Sequence, residues 1–123
     1  MRTNKDTRGK CWYDIFPLKI GQIDTQFNYP GTIRAFHMHK NKEETWFIAE
    51  GEFKIVLSNP TEILYLSQGE SVFISTNRWH GYQVLGEIPG IMIEYTTVKH
   101  IEDPEDDYKK PYNEFDNWEK EKK

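Results

Sequence analysis

The fold is decided by the stretch GTIRAFHMHKNKEE, which runs from Gly31 to Glu44. Residues 32–39 read as a β-strand, and a polar turn follows it. Because residues i and i+2 of a strand point to the same face, the imidazoles of His37 and His39 project together. Glu44 lies just across the turn, at the start of the next strand, where its carboxylate can swing back to the same centre. The stretch therefore predicts one side of a metal centre.

A fourth ligand comes from His80, which lies 36 positions after Glu44, just before another predicted strand. Four ligands on neighbouring strands meet only if the sheet curls, as it does in a small barrel. Three imidazoles and one carboxylate predict a site for one divalent metal ion: Zn, Fe, Mn or Ni. Taken alone, a His-x-His pair in a strand is also common as two surface or hydrogen-bonded residues.

The rest of the chain consists of short β-rich runs separated by turn residues. Helical periodicity is nearly absent before the last 24 residues, and this pattern predicts an all-β sandwich or closed barrel. We expect one domain over residues 1–123, with a core at about 12–98 and a polar tail at 99–123. We expect a solvated tail that packs a few aromatics on the barrel, and the alternative is a short helix, because the spacing of those aromatics suits one helix face. They are Tyr108, Tyr112, Phe115 and Trp118. The predicted strands cover residues 12–23 (broken near Pro17 and Gly21), 26–29, 32–39, 44–49, 52–57, 63–66, 71–74, 81–85 and 91–97.

Composition excludes several classes of function. The formal net charge is −4 and no basic stripe is visible, so nucleic acid is a poor partner. No apolar run approaches the roughly 18 residues of a membrane span. The polar N-terminus shows no secretory signal and Cys11 is the single cysteine, so we expect a cytoplasmic protein.

The spacing of the metal residues resembles the two motifs of the cupin superfamily. Gly31, five residues, His37-x-His39, four residues, Glu44, six residues and Gly51 follow the first motif. Gly69, five residues, Ser75-Thr76-Asn77, two residues and His80 keep the spacing of the second, with Ser and Asn in place of Pro and Gly. Asn tolerates left-handed backbone, so the turn is expected to survive. The resemblance implies the double-stranded β-helix, or jelly-roll barrel.

Glu43 competes with Glu44 for the carboxylate position, because cupins place three or four residues before the Glu. The two side chains point to opposite faces of a strand. The distance to Gly51 and the shared parity with Trp46 and Ile48 favour Glu44, which leaves Glu43 as a surface charge.

A closer resemblance is to cupins that act on nucleotide sugars. Arg34-Ala35-Phe36-His37 is similar to the Arg-Gly-x-His segment of dTDP-4-dehydrorhamnose 3,5-epimerases, where Arg contacts the diphosphate and His is the base. Arg34, His37, His39 and the Trp79-His80 pair resemble sugar-nucleotide 3,4-ketoisomerases, as does the segment from Asp107-Tyr108 to Phe115. The epimerase position for a catalytic Lys falls at Glu44, and that for a catalytic Tyr falls near Ile93 or Val98, with Tyr95 close by.

The candidate site residues follow from the motifs and the resemblance. The catalytic candidates are His37, His80 and Tyr95, and the substrate-binding candidates are Arg34, Trp46, Trp79 and Tyr82. Arg34 is three residues before His37, so a regular strand would turn it to the outer surface, whereas a β-bulge would bring it into the pocket. Trp46, Trp79, Tyr82 and Tyr95 are equally plausible as plain core or rim residues.

The expected function is metal-assisted proton transfer alpha to a carbonyl, by an isomerase or epimerase acting on a sugar nucleotide or related saccharide. A non-catalytic, ligand-binding accessory cupin of saccharide biosynthesis is one alternative, and the absent epimerase Lys and Tyr motivate it. A metal-dependent dioxygenase is the other. The expected partners are a small-molecule substrate, such as a nucleoside diphosphate sugar, and a second copy of the chain, because a small barrel exposes sheet edges. The resemblance also implies exchange of N-terminal strands between the two copies.

Overall fold

The computed structural model describes residues 2–16, 21–58, 60–98 and 102–109. This part of the chain is built from β-strands joined by turns and contains no α-helix. The strands are β1 (Arg2–Asp6), β2 (Gly9–Tyr13), β3 (Gln22–Asn28), β4 (Ile33–Met38), β5 (Glu44–Glu50), β6 (Glu52–Ser58), β7 (Glu62–Ser67), β8 (Ser71–Ile74), β9 (Trp79–Leu85), β10 (Gly90–Thr96) and β11 (Tyr108–Lys109).

Two antiparallel sheets form the barrel. One has four strands in the order β3-β10-β5-β8, and the other has five in the order β11-β4-β9-β6-β7. Because strands that are distant in sequence lie side by side, the chain crosses repeatedly between the sheets, as in a jelly roll. The predicted all-β jelly-roll fold is confirmed. The β1–β2 hairpin is a separate two-stranded sheet that the polar N-terminal sequence did not predict.

The hydrophobic core fills one end of the space between the sheets. Alternation along β6 sends Phe53, Ile55 and Leu57 inward, and each is fully buried. They pack with the inward residues of the facing strands, so that end of the barrel is closed. The other buried members of this cluster are Trp46, Ile48, Ile74, Tyr82, Val84 and Met92.

The other end of the barrel is lined by polar groups. The sequence of β3 does not indicate this, because its apolar residues have the composition of a core strand. Its exposed residues include Ile23 and Phe27, whereas Asp24 and Gln26 point inward. The pleat of the strand thus turns its apolar residues to solvent and its polar ones to the interior, which is the reverse of the usual pattern. This end holds the cavity described below.

Strands β4 and β9 approach each other closely at the edge of that cavity. Their pairing shifts register between Arg34 and His37, which is the bulge that the sequence required for Arg34 to reach the interior. A Cβ atom on Gly81 would lie 2.8 Å from the Cβ of Ala35 and 3.1 Å from the carbonyl oxygen of Arg34. Only glycine fits there, so Gly81 allows the bulged strand to pack on its neighbour.

The turn before β9 has the conformation expected from the second motif. Asn77 adopts a left-handed φ of 62°, and its backbone N–H donates to the carbonyl of His39 at 2.7 Å. Asparagine therefore takes the place of the motif glycine while joining the loop to the end of β4.

The C-terminal segment differs from the expected tail. Tyr108, which we expected in a solvated tail or on one face of a short helix, lies in β11 and pairs with Met38 of β4. The remaining aromatics of that pattern, from residue 112 onward, lie outside the described residues, as does most of the expected tail. None of the described residues forms a helix long and apolar enough to cross a membrane.

Candidate metal centre and its cavity

A cavity of about 550 Å³ opens between the two sheets at the polar end of the barrel. Strands β3, β4, β5, β9 and β10 and the segment around residue 107 all contribute to its lining. The lining residues are Gln22, Asp24, Gln26, Ile33, Arg34, Ala35, His37, His39, Lys42, Glu44, Trp46, His80, Gly81, Tyr82, Glu94, Thr96 and Asp107.

Three of the four expected metal ligands converge in this cavity. His39 Nε2 lies 3.3 Å from one carboxylate oxygen of Glu44, and His80 Nε2 lies 3.0 Å from the other. One donor atom from each of the three residues lies within 4.8 Å of the other two. Glu44 is also the carboxylate that strand parity favoured over Glu43. The geometry brings together two imidazoles and a carboxylate, a donor set that suits a divalent transition metal.

The outer nitrogens of both rings are held by backbone carbonyls. His39 Nδ1 lies 2.5 Å from the carbonyl oxygen of Asp106, and His80 Nδ1 lies 3.1 Å from that of Arg78. A carbonyl oxygen can only accept a hydrogen bond, so each Nδ1 carries the proton. In the neutral ring, Nε2 then has a lone pair directed at the Glu44 carboxylate. Lone pairs and anionic oxygens that face one another need a cation between them, and this is the observation that fits a metal.

Without a metal, protons take the place of that cation. Burial works to raise the pKa of Glu44, but the charges and hydrogen bonds of His80 and His39 outweigh burial and hold it far below its usual range. Burial alone would lower the pKa of His39, but the bond to Glu44 leaves it raised. The contact between His39 and Glu44 thus favours a proton on the imidazole, and metal binding there must displace it.

His37 lies in the cavity but outside the three-residue group. Its Nδ1 is 2.9 Å from Asp107 Oδ1, and its ring is stacked on that of His80 with the centroids 6.4 Å apart. Burial would raise the pKa of Asp107, but the hydrogen bond and charge of His37 lower it. The structure therefore shows His37 as one member of a His–Asp pair, and its role as a fourth ligand stays a prediction.

Residues 103–107 form a strap across the end of β4. The buried Asp106 carboxylate accepts hydrogen bonds from the backbone N–H groups of Lys40 and Asn41, at 2.7 and 3.0 Å. The Asn41 amide donates to Asp103 at 2.9 Å. Through this strap, residues far along the chain hold both His37 and His39. No local pattern in the sequence signals it.

Arg34 lines the cavity through the β4 bulge, as the resemblance implied. Its Nε donates to Asn28 Oδ1 at 2.7 Å, and the Tyr82 hydroxyl lies 3.1 Å from the same oxygen. Tyr82 also donates to Gln26 Oε1 at 2.5 Å, and the Gln26 amide donates to Glu94 at 3.1 Å. Burial raises the pKa of Tyr82 to about 12. A chain of hydrogen bonds thus joins Arg34 at the rim to Glu94 beside the metal group.

Sequence reasoning missed Glu94 and Lys42. Burial, together with the charge of Glu44, raises the pKa of Glu94 to about 9. Its signal was a lone carboxylate in the apolar run Ile91–Tyr95, a position that burial makes unfavourable without a function. Lys42 belongs to the polar turn expected after residue 39, and its side chain is only 6% exposed.

The aromatic candidates fall in different places. Trp46 and Tyr82 line the cavity, and Trp46 packs edge-on against His80 with the ring centroids 5.3 Å apart. Tyr95 points from β10 to the opposite side from Glu94 and stacks on Phe16 at 5.5 Å, outside the cavity lining. Trp79 packs near Phe36 on a second hydrophobic cluster and is also absent from the lining. Strand alternation separates both residues from the site.

The chain belongs to the cupin family, since the cupin domain model matches residues 29–95, more than half of its length. It is 30% identical to the spore coat polysaccharide biosynthesis protein SpsL of Bacillus subtilis, over 77% of this chain and 70% of that one. It is 25% identical to the probable low-salt glycan biosynthesis epimerase Agl13 of Haloferax volcanii, over 92% of this chain and 84% of that one. A dTDP sugar isomerase from Desulfovibrio desulfuricans superposes with a TM-score of 0.75 at 16% identity, covering 89% of this chain and 80% of that one. At that identity the structural likeness shows the fold.

Proposed function

We propose that the protein is a metal-binding cupin that moves a proton on the carbon alpha to a carbonyl group, as an isomerase or epimerase of a sugar nucleotide or related saccharide. The observation that carries this proposal is the His37–Asp107 pair, which faces the same cavity as the group of His39, Glu44 and His80. Relatives whose names refer to polysaccharide and glycan biosynthesis support the substrate class.

His37 is the base in this proposal. Asp107 accepts a hydrogen bond from Nδ1–H, so the free lone pair is on Nε2. The carboxylate also stabilises the imidazolium that forms when Nε2 takes a proton. Because the aspartate fixes the ring, the base is held in one orientation before the ligand arrives.

His39, Glu44 and His80 would hold the divalent metal ion. The ion would supply Lewis-acid chemistry, since it polarises a carbonyl oxygen and acidifies the neighbouring C–H bond. Trp46 and Tyr82 close the inner side of the cavity and limit the access of water to the reacting carbon.

Arg34 would bind the phosphates of a nucleotide sugar at the rim. The bond from Nε to Asn28 fixes the guanidinium and leaves its terminal nitrogens to form a two-pronged contact with an anion. The cavity size is within the range of small-molecule sites.

A non-catalytic accessory cupin is the second candidate function, and the position of Tyr95 favours it. That residue was the nearest to a second proton donor, and it lies outside the cavity lining. Without Tyr95 as a second proton donor, the protein would bind a sugar nucleotide, or exchange its proton, without inverting a centre.

Solvent exchange tests the proposal. The metal-loaded protein is incubated in deuterium oxide with a nucleoside diphosphate 4-keto-6-deoxy sugar, and NMR follows the proton alpha to the carbonyl. We expect exchange in the wild type, loss of most of it in His37→Ala, and an intermediate rate in Asp107→Asn. Binding without exchange would instead identify the accessory function.

The metal content of His80→Ala and His37→Ala distinguishes a metal ligand from a catalytic base. His80→Ala should lose most of the metal that survives dialysis, because one of three buried ligands is gone. His37→Ala should keep it, because His37 lies outside the group. Elemental analysis gives the content and the identity of the metal. Full retention in His80→Ala would contradict the metal centre, and loss in His37→Ala would restore the four-ligand arrangement.

A further inference from the structure

Lys42 is a buried cation that the proposed mechanism does not use. It lies in the turn between the two ligands His39 and Glu44, and its side chain is 6% exposed. It lines the same cavity as the metal group. Within the described part of the chain, its ammonium forms neither a hydrogen bond nor an ion pair.

The side chain of Lys42 is largely buried, so its ammonium is separated from bulk solvent and meets water or a ligand only through the cavity that it lines. An ammonium placed in this way is unfavourable unless an anion or ordered water takes the place of its lost hydration. If Lys42 served only to balance the charge of a nearby carboxylate, that carboxylate would lie in contact with its ammonium. Glu44 instead faces His39 and His80, and Glu94 accepts from Gln26. Lys42 nevertheless lies close enough for its charge to work against the raised pKa of His39 and of Glu94. The ammonium is thus directed at the cavity, next to the metal group.

We propose that Lys42 binds a negatively charged oxygen of the ligand beside the metal centre, in the cavity that Arg34 also lines. The inference rests on the proposed function for the identity of the ligand and extends it to a second anionic contact. Two sources can supply such an oxygen: a permanent carboxylate on the sugar, as in a uronate, or the enolate that proton removal creates.

In the enolate case, the charges balance within the cavity. His37 Nε2 takes the alpha proton, the electron pair of the C–H bond becomes the C=C bond, and the carbonyl π pair moves onto oxygen. Lys42 would then donate a hydrogen bond to that anionic oxygen. The proton returns from His37 when the carbonyl re-forms.

Calorimetric titration with malonate, a small dicarboxylate, tests the anion contact independently of any sugar. The metal-loaded wild type is compared with Lys42→Met and with Lys40→Met. Lys40 is the matched control, because it belongs to the same turn and its ammonium lies over the ring of Tyr108, 4.6 Å from the centroid. We expect Lys42→Met to bind malonate roughly ten- to a hundredfold more weakly, the equivalent of one lost charge-assisted contact, and Lys40→Met to match the wild type.

Equal malonate affinity in the wild type and Lys42→Met, at equal metal content, would overturn the inference. Lys42→Gln serves if the methionine variant does not fold, since it keeps a polar end without the charge. If malonate binding depends on Lys42 but no nucleotide sugar binds or exchanges, this inference stands and the proposed function fails. If a nucleotide sugar exchanges its proton in the wild type while Lys42→Met binds malonate as tightly as the wild type, the proposed function stands and this inference fails.

Two further experiments distinguish a carboxylate on the sugar from an enolate as the anionic oxygen that Lys42 binds. A carboxylate ligand predicts that the wild type prefers UDP-glucuronate to UDP-glucose and that Lys42→Met loses this preference. An enolate predicts similar binding of the keto sugar by both proteins, with a tenfold or greater fall in deuterium exchange in Lys42→Met.

Discussion

The site depends on which nitrogen of each histidine carries the proton. Backbone carbonyls set this for His39 and His80, and a carboxylate sets it for His37. The alternation of side chains along a strand and the spacing of the two motifs predicted His39, Glu44 and His80, because residues two apart in a strand face the same side. They could not separate His37 from the group, because Asp107 comes from a segment 70 residues further along the chain.

Variants of Arg34 test whether the ligand is a sugar nucleotide. Arg34→Ala should weaken binding of a nucleoside diphosphate sugar by roughly ten- to a hundredfold, because one charge-assisted contact worth about 1.5–3 kcal/mol is lost. Arg34→Lys should restore part of the affinity, since it keeps the charge but loses the planar fork. Metal content should stay full in both variants.

Calorimetric titration of wild type and both variants measures this. Indistinguishable affinities would remove Arg34 from the binding site and, with it, the main argument for a diphosphate. The metal centre would then serve another small molecule.

Glu94 should make the stability of the metal-free protein depend on pH. Its pKa is raised to about 9 in the fold, chiefly by burial and then by the charge of Glu44, so the folded state favours its protonated form. This contribution is complete below the ordinary pKa of about 4.3 and declines as the pH rises toward 9. Glu94→Gln should remove the decline, because the amide keeps the shape without a titrating proton.

Urea unfolding after chelation, repeated from pH 5 to pH 9, checks this expectation. The wild type should lose stability across the range, while Glu94→Gln stays comparatively flat. Parallel curves for the two proteins would show that Glu94 is already ionised in the fold.

At the level of elements, the sequence predicted the short strands and the turns between them. It did not predict the order of the strands in the sheets. Strand β8 has the predicted bounds, and β5 to β10 fall within two residues of them. The inward polar face of β3 was missed, because Ile23 and Phe27 have the composition of core residues. Local composition cannot show which side of an edge strand is covered.

The strap of residues 103–107 is expected to stabilise the protein through Asp106. Asp106→Ala should destabilise the protein by about 1–3 kcal/mol, because the two hydrogen bonds of the buried Asp106 carboxylate to the N–H groups of Lys40 and Asn41 are lost. Metal affinity should fall as well, since the carbonyl that orients His39 is no longer held. Asp103→Ala is the control, because its bond to the Asn41 amide is exposed and worth much less.

Denaturant unfolding and competitive chelator titration measure the two effects. If Asp106→Ala behaves like Asp103→Ala in both, the strap does not hold the site.

At the scale of the whole molecule, homodimerisation stays a prediction. β3 is an edge strand of the four-stranded sheet, and Ile23 and Phe27 on its outer face are 61% and 55% exposed. An exposed apolar edge is a natural place for a second copy to pair. We expect a dimer mass in light scattering at micromolar concentration and a shift toward monomer in Phe27→Lys.

Tyr65→Lys is the matched control, because Tyr65 is 62% exposed on β7, one of the two edge strands of the other sheet. It should leave the dimer intact. A monomer mass for the wild type would refute the prediction, and dissociation by Tyr65→Lys alone would move the interface to the other sheet.

The strap also has a consequence for the order in which the site matures during synthesis. Asp106 lies 26 residues after His80, the last ligand of the metal group, so at 5–20 residues per second a ribosome supplies it roughly 1–5 s later. Both histidines and the glutamate of the metal group are already made by residue 80. For those seconds the nascent chain offers metal ligands whose rings are not yet oriented. Whatever ion it takes then reflects cellular supply, whereas the finished barrel selects by geometry.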